Sequence, residues 1–236
     1  RIAVDPARIG YLGHALGALL GGVAVATSDQ LAGAVLNEAA GDWVAVLSDS
    51  ATDAIRCPLV DSLIAGGVLE GTPWDGGAAS DATCLRQDWQ QDPRFLEFAA
   101  AARWLLDPVD PLNYAARLGS GDAPPVLLAE IDGDPVIPNT ATRELVRLLG
   151  LDAEDASVAA APPITPTPAA LAEGNVWIRY SGVPADADSG FPGNAYGPGS
   201  LLAPAPPAAD MADAAGQLGT AQLRVDAITF LGSRSR

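Results

Sequence analysis

The chain has 236 residues, of which 49% are hydrophobic, and a formal net charge of −16, so it is long enough to bury a core and is strongly acidic. All 13 basic residues are arginine, and the absence of lysine excludes a Walker-type phosphate loop and Schiff-base chemistry. An acidic surface repels nucleic acid and anionic lipid headgroups, so we predict that neither is a partner.

Metal and redox chemistry also lack the residues they need. One histidine and two cysteines without a Cys-x-x-Cys pair are too few for a zinc or redox motif, and we predict no metal and no cofactor. The spacing of Cys57 and Cys84 is compatible with a disulfide and equally with two buried thiols. The longest uncharged apolar run, at 15–28, is too short to span a bilayer.

The first part of the chain alternates between strand and helix patterns. Residues 9–12 predict a short strand, and 15–27 predict a helix that is apolar on all sides and therefore buried. Residues 31–41 begin as a second buried strand, with the continuous apolar run that parallel strands show when both faces are covered.

The middle of the chain has a different character. Residues 43–118 are mostly helical in pattern, and the clearest helix is 95–106. We predict that the aromatic residues of this stretch belong to its core; they are Trp74, Trp89, Phe95, Phe98 and Trp104. Residues 124–134 then predict a third buried strand that runs into an acidic turn.

The last part of the chain returns to the alternating order. An amphipathic helix is predicted to end at Gly150, and the acidic run 151–157 reads as its solvated end. Residues 175–182 predict a fourth strand, a long Gly- and Pro-rich loop follows it, and 211–231 predict the final helix. The order of elements predicts an α/β fold with a mostly parallel sheet.

The turn between the first strand and the first helix reads Gly13-His14-Ala15-Leu16-Gly17. We predict that Ala15 lies at a strained apex and that the N–H of Leu16 points there, where it can stabilise an oxyanion. We predict that the turn requires glycine at positions 13 and 17, because a Cβ at either position would clash with the neighbouring strand and helix.

The stretch "RIGYLGHALGALLGG" at 8–22 resembles the nucleophile elbow of α/β-hydrolases, in particular the bacterial extracellular lipase and esterase group. The resemblance extends through "AVLNEAAGDW", "LLDPVDPLNYAARL" and "VLLAEIDGDPVIPNTATRELVRLLGL", covers most of 5–151 and is faint past residue 160. It implies one α/β-hydrolase domain over 1–236 with a helical cap at 43–118. It also implies carboxylic ester hydrolysis, an apolar ester or lipid-like ligand, and an extracellular or periplasmic location.

The resemblance also assigns the catalytic positions. Ala15 stands where the family has its nucleophilic serine, and Asp134 is the best match to the catalytic acid, with Asp132 as the alternative. Pro198, in "GPGSLL", stands at the possible histidine position. The sole histidine, His14, is predicted to be a packing or pocket-rim residue and a poor base for residue 15, because adjacent side chains on a turn diverge. A hydrolase without its nucleophile and base is therefore expected to be inactive.

Two other functions stay open: a binding or assembly module on a hydrolase scaffold, and a fragment of a longer lipase. In this family several strands precede the elbow, so we expect a partner chain or a missing N-terminal segment to complete the sheet. Because the cysteine count is even, both cysteines lie in the insertion and the chain resembles exported enzymes, we predict a disulfide between Cys57 and Cys84.

Overall fold

A computed structural model describes residues 5–77, 81–151, 154–156, 165–182, 195–202 and 212–234. Within these residues, five parallel strands form one sheet in the order β1-β2-β3-β5-β4. The strands are β1 (Gly10–His14), β2 (Gly33–Asn37), β3 (Val126–Ile131), β4 (Glu154–Ala156) and β5 (Val176–Tyr180). The helices are α1 (Leu16–Thr27), α2 (Trp43–Ser48), α3 (Asp53–Ala65), α4 (Pro93–Leu106), α5 (Ala115–Gly119), α6 (Asn139–Leu149) and α7 (Ala212–Ser233).

Helices cover both faces of the central strands. Every residue of β2 and of β3 is buried. Alternate residues of these strands pack with α1, α5 and α6 on one face and with α7 on the other. The predicted α/β class with a mostly parallel sheet is confirmed.

The acidic run at 151–157 was expected to be a solvated helix end, and this prediction is wrong. Helix α6 does end at Gly150, which has a left-handed φ of 67°. Residues Glu154–Ala156 instead form the edge strand β4, which pairs in parallel with β5. A strand of three residues shows no hydrophobic periodicity, so pairing with β5 decides its conformation.

The region 43–118 has a hydrophobic cluster of its own, built from residues of α2, α3 and α4 and the turns between them. Trp89 and Phe95 are buried there with their rings 4.8 Å apart, edge to face. Trp104 does not join this core and is 75% exposed, because it lies on the side of α4 opposite Phe95. The division of the chain into a domain with a cap stays a prediction.

Cys57 of α3 and Cys84 form a disulfide, and both residues are fully buried. The bond closes a loop with a sequence separation of 27 residues. On the loop-entropy model, such a crosslink stabilises the fold by about 3–4 kcal/mol.

We therefore expect that iodoacetamide adds to neither cysteine in denatured, unreduced protein and adds to both after reduction, as read by mass spectrometry. The Cys57→Ala/Cys84→Ala variant should lose about 3–4 kcal/mol of unfolding free energy in urea titrations. Labelling of both cysteines without reductant would contradict the disulfide.

Strand β1 lies at an edge of the described sheet. Its odd-numbered residues bond to β2, as shown by Ile9 O accepting from Ala32 N and Ala15 N donating to Asn37 O. The backbone groups of the even-numbered residues therefore point outward. Leu12 and Leu16 beside this edge are 46% and 59% exposed. The partner or further segment expected to cover this edge stays a prediction. None of the described helices is long and apolar enough to cross a membrane.

Candidate functional site

The candidate site lies at the carboxyl edge of the sheet, where parallel α/β sheets carry their sites. Ala15 follows β1, Glu38 follows β2, and Asp134 lies in the turn after β3. Because β1, β2 and β3 are neighbouring parallel strands, these residues come together at one edge.

Ala15 has φ 47° and ψ −114°, between β1 and α1. Its N–H donates to Asn37 O, and its carbonyl accepts from the N–H groups of Ala18 and Leu19. A non-glycine residue keeps such a conformation only where the surrounding structure imposes it. The turn between β1 and α1 is therefore strained at its apex, where the side chain is the methyl group of Ala15. Leu16 is the first residue of α1, so its N–H has no acceptor within the helix.

A parallel sheet in which a strand enters a helix through a strained turn occurs in several α/β folds, the α/β-hydrolases among them. The assignment to the α/β-hydrolase fold stays a prediction.

The backbone approaches itself closely at Gly13. A Cβ there would lie 2.4 Å from Gly17 O and 2.8 Å from the Tyr11 ring. The Tyr11 hydroxyl donates to the same Gly17 carbonyl at 2.6 Å. The expectation that a Cβ at Gly17 would clash is wrong, because nothing lies within 4 Å of that position. The close approach involves the carbonyl of Gly17 and leaves its Cα free.

These two glycines form a matched pair for mutagenesis. Gly13→Ala should lower the free energy of unfolding by about 1–3 kcal/mol, because the new methyl group overlaps a backbone carbonyl. Gly17→Ala should leave it unchanged or raise it by up to about 1 kcal/mol, because alanine favours the helix. Urea denaturation of both variants measures the difference. Equal stability of the two variants would contradict the close packing at Gly13.

His14 is part of the site. Its Nδ1 lies 2.9 Å from Asn37 Nδ2 and 3.7 Å from Glu38 Oε2. Its side chain is 22% exposed, against 1% for Glu38, so the Nδ1 edge of the ring is the buried edge. Burial lowers the pKa of His14, and the Asp134 charge opposes that shift only in part, so the ring is neutral at pH 7.

Glu38 connects the strand ends to the loop that follows β5. Its backbone has a left-handed φ of 57°. Its Oε1 accepts from Asn37 Nδ2 at 3.2 Å and from the N–H of Gly199 at 3.2 Å. The carboxyl groups of Glu38 and Asp134 lie close enough to interact, and each affects the pKa of the other.

The interaction affects the pKa of both acids. Burial and the charge of Asp134 raise the pKa of Glu38 to about 7, and burial raises the pKa of Asp134. Asp134 Oδ1 accepts from the N–H groups of Val136 and Ile137 at 2.7 and 3.2 Å, which fixes its side chain and limits its shift.

The alternative acid, Asp132, points elsewhere. Its Oδ2 accepts from the Ser181 hydroxyl at 3.2 Å, and its Oδ1 lies 3.5 Å from Arg143 Nη2. Of the two aspartates in this turn, Asp134 is the one that interacts with Glu38 and His14.

The turn that contains Pro198 lies beside the site. Pro198 is exposed, and the N–H of the next residue, Gly199, is the one bonded to Glu38. Ser200 is fully buried, and its Oγ accepts from Gly197 N at 2.8 Å, which ties the turn to itself. Residues 183–194 of the same predicted loop lie outside the described residues.

The sequence reasoning missed Asn37 and Glu38 as site residues. Their position along the chain could have indicated them, because these two polar residues lie at the end of the apolar strand β2, which neighbours β1. Among the described residues no group of three histidine, cysteine or acidic side chains is arranged to hold a metal ion.

The sequence matches no known family model and no curated protein. Similar solved structures include the Pyrococcus horikoshii acylaminoacyl peptidase, at 13% identity and a TM-score of 0.45 over 95% of this chain and 24% of that chain. A Mycobacterium tuberculosis puromycin-hydrolysing peptidase matches at 17% identity and a TM-score of 0.38 over 75% of this chain and 18% of that chain. This chain thus spans a quarter or less of their length.

Proposed function

We propose that this chain is an α/β-hydrolase-type scaffold of carboxylic ester hydrolase lineage that does not cleave esters by the serine route. The observation that carries the proposal is Ala15, whose methyl group occupies the elbow apex while the strained backbone is retained. A methyl group cannot attack a carbonyl carbon, so no acyl-enzyme forms at this position.

In the parent mechanism, a serine at position 15 attacks the ester and a histidine at position 198 takes its proton. Asp134 orients that histidine, and the N–H of Leu16 binds the oxyanion. The hydrogen bond from the Gly199 N–H to Glu38, which interacts with Asp134, supports this assignment because it brings the turn of position 198 to the side of the site that holds the acid. His14 is a poor replacement for the base, since its Nδ1 edge is already buried against Asn37 and Glu38.

The ester lineage and the location of the protein rest on further observations. The resemblance of 8–22 to lipases and esterases favours an apolar acyl ligand, and Leu16 and Leu20 leave exposed apolar surface beside the apex. Disulfides persist in oxidising compartments, so the bond between Cys57 and Cys84 favours an extracellular or periplasmic protein.

The test is hydrolysis of p-nitrophenyl butyrate, with labelling by a fluorophosphonate probe for activated serines. We expect no turnover above the buffer rate and no labelling of the purified chain. Turnover that disappears in His14→Phe or Glu38→Gln would show that the site has a base and nucleophile of its own, and would overturn the proposal.

A further inference from the structure

We propose that Arg224 of α7 is a positioning residue for the candidate site. It holds the turn at 197–202 against α7, and this turn presents the N–H of Gly199 to Glu38. The role does not depend on whether the chain cleaves esters.

The turn at 197–202 is shaped by hydrogen bonds of its own. Ser200 N donates to Gly197 O at 3.0 Å, and Gly197 N donates to Ser200 Oγ at 2.8 Å. Leu202 N donates to Gly199 O at 2.8 Å, and Gly199 has a left-handed φ of 83°, which glycine adopts without strain. These bonds join the turn to itself, so its place beside the sheet depends on other contacts.

The turn contacts the site through one backbone group. The N–H of Gly199 donates to Glu38 Oε1 at 3.2 Å, although the two residues lie 161 positions apart in the sequence. A backbone N–H is aimed at a distant side chain only as well as its own segment is held. The contacts that fix the turn therefore decide whether this bond forms.

Arg224 anchors the end of the turn. Its Nε donates to Leu201 O at 3.0 Å, and its Nη2 donates to Leu202 O. A guanidinium group is planar and keeps its donors in a fixed arrangement, so bonds to two successive carbonyl groups restrict the position and the direction of the turn. Leu201 itself is buried in the same hydrophobic cluster as Leu223 and Ala227 of α7.

Helix α7 is fixed to the sheet close to Arg224. Asp226 is fully buried, and its carboxyl group accepts from the Tyr180 hydroxyl of β5 at 2.9 Å and from Thr167 N at 2.8 Å. The helix cannot shift without breaking these buried bonds, and leaving such groups unpaired is costly. Arg224 thus holds the turn against a fixed support.

The segment before the turn also fits closely against α7. Ala195 N donates to Ala215 O at 3.1 Å. A Cβ at Gly219 would overlap Ala195 O and would lie 3.2 Å from the Tyr196 ring, whereas a Cβ at Gly232 of the same helix meets nothing within 4 Å. The two glycines therefore offer one substitution that displaces the segment and a matched one that does not.

The amide proton of Gly199 reports on the position of the turn. Its acceptor, Glu38, ionises with a pKa of about 7, so the NMR shift of this proton should titrate near pH 7 in the wild-type protein. Among the described residues, the other ionisable side chains that face Glu38 are His14 and Asp134. Glu38→Gln removes the acceptor carboxylate, so it should abolish this titration if the bond is as described.

Arg224→Met keeps the apolar stem of the side chain and removes both donors. We expect the Gly199 amide to lose most of its pH-dependent shift and to exchange with solvent about tenfold faster, the factor that the loss of one hydrogen bond gives. Arg224→Lys, whose ammonium group can donate to one of the two carbonyls, should recover part of the loss. Arg147→Met makes the same change of charge at an arginine that pairs with Glu144 on α6, so it should change neither readout.

Gly219→Ala tests the same support without a change of charge. It should also reduce the pH-dependent shift of the Gly199 amide, and Gly232→Ala should leave this shift as in the wild type. The amide shifts of Leu127 and Leu128 in β3 should be unchanged in every variant, which shows that the sheet stays folded.

Wild-type titration and exchange of Gly199 in Arg224→Met would overturn the positioning role. If Arg224→Met does not fold, an unchanged Gly199 amide in Gly219→Ala would overturn it instead. A Gly199 amide that does not titrate near pH 7 in the wild type, or that still titrates in Glu38→Gln, would also overturn it, because the turn would then not be bonded to Glu38. None of these measurements uses an ester, so hydrolysis by the wild-type chain would overturn the proposed function alone.

Discussion

Ala15→Ser combined with Pro198→His is expected to produce ester hydrolysis that neither substitution produces alone. The serine supplies a nucleophile at an apex whose backbone already has φ 47° and ψ −114°. Without a base, its hydroxyl stays protonated at neutral pH and reacts slowly. General-base assistance is worth about 10²–10⁴-fold, and this is the expected gain of the double variant over Ala15→Ser.

The position of residue 198 supports this expectation. Pro198 is exposed, so a histidine can replace it without entering the core. The next residue, Gly199, donates from its N–H to Glu38, and Glu38 interacts with Asp134, so position 198 and the acid lie on the same side of the site. An acid bonded to the imidazole selects its tautomer and stabilises its protonated form.

The measurement is the rate of p-nitrophenyl butyrate hydrolysis by the wild type, both single variants and the double variant. Adding Asp134→Asn to the double variant should remove most of the gain. Full activity in Ala15→Ser alone would show that another residue serves as the base. An inactive double variant that folds normally would remove Pro198 as the histidine position.

The stability of the wild-type protein is expected to fall between about pH 4.5 and pH 7 relative to that of Glu38→Gln. The pKa of Glu38 is raised in the folded protein from its ordinary 4.5 to about 7, mainly by burial and next by the charge of Asp134. The folded state therefore binds a proton that the unfolded state releases. The stabilisation is complete below pH 4.5 and is lost as the pH rises through the folded pKa of about 7.

The expected size of the effect follows from the same shift. A rise from 4.5 to about 7 corresponds to about 3 kcal/mol of unfolding free energy. Glutamine imitates the protonated acid, because its carbonyl accepts from Gly199 N and its NH₂ group donates to Asp134. The two proteins should thus be similarly stable at pH 4.5, and the variant should be more stable at pH 8.

Urea titrations of both proteins across this pH range give the difference directly. Subtracting one curve from the other removes the pH dependence of the unfolding free energy that comes from other buried acids with raised pKa values, such as Glu130 and Asp226. The lowered pKa of His14 acts in the opposite direction, below its ordinary value of 6.5. Glu144→Gln is the control: this half-exposed acid pairs with Arg147 and its pKa is lowered, so the variant should show no such gain. Parallel curves for the wild type and Glu38→Gln would contradict the raised pKa of Glu38.

Local sequence patterns determined most of the scaffold. The apolar runs at 9–12, 31–41 and 124–134 indicated buried parallel strands; the first overlaps β1, which continues two residues further, and the other two contain β2 and β3. The turn at Gly13 to Gly17 could be located because a strand, a Gly-x-x-x-Gly turn and a buried helix follow one another along the chain. Such patterns can be recognised in the sequence because burial and local backbone geometry restrict which residue types occur at each position.

Only the tertiary structure brought the site residues together. Residue types alone did not indicate that Glu38 interacts with Asp134, 96 positions further along, or accepts from the N–H of Gly199. The raised pKa of Glu38 requires burial, which the whole sheet edge provides. The strand β4 likewise depends on pairing with β5. The sequence by itself determined the parallel scaffold and the alanine at its apex, and tertiary contacts decided which polar side chains surround that apex, because those contacts join residues far apart in the chain.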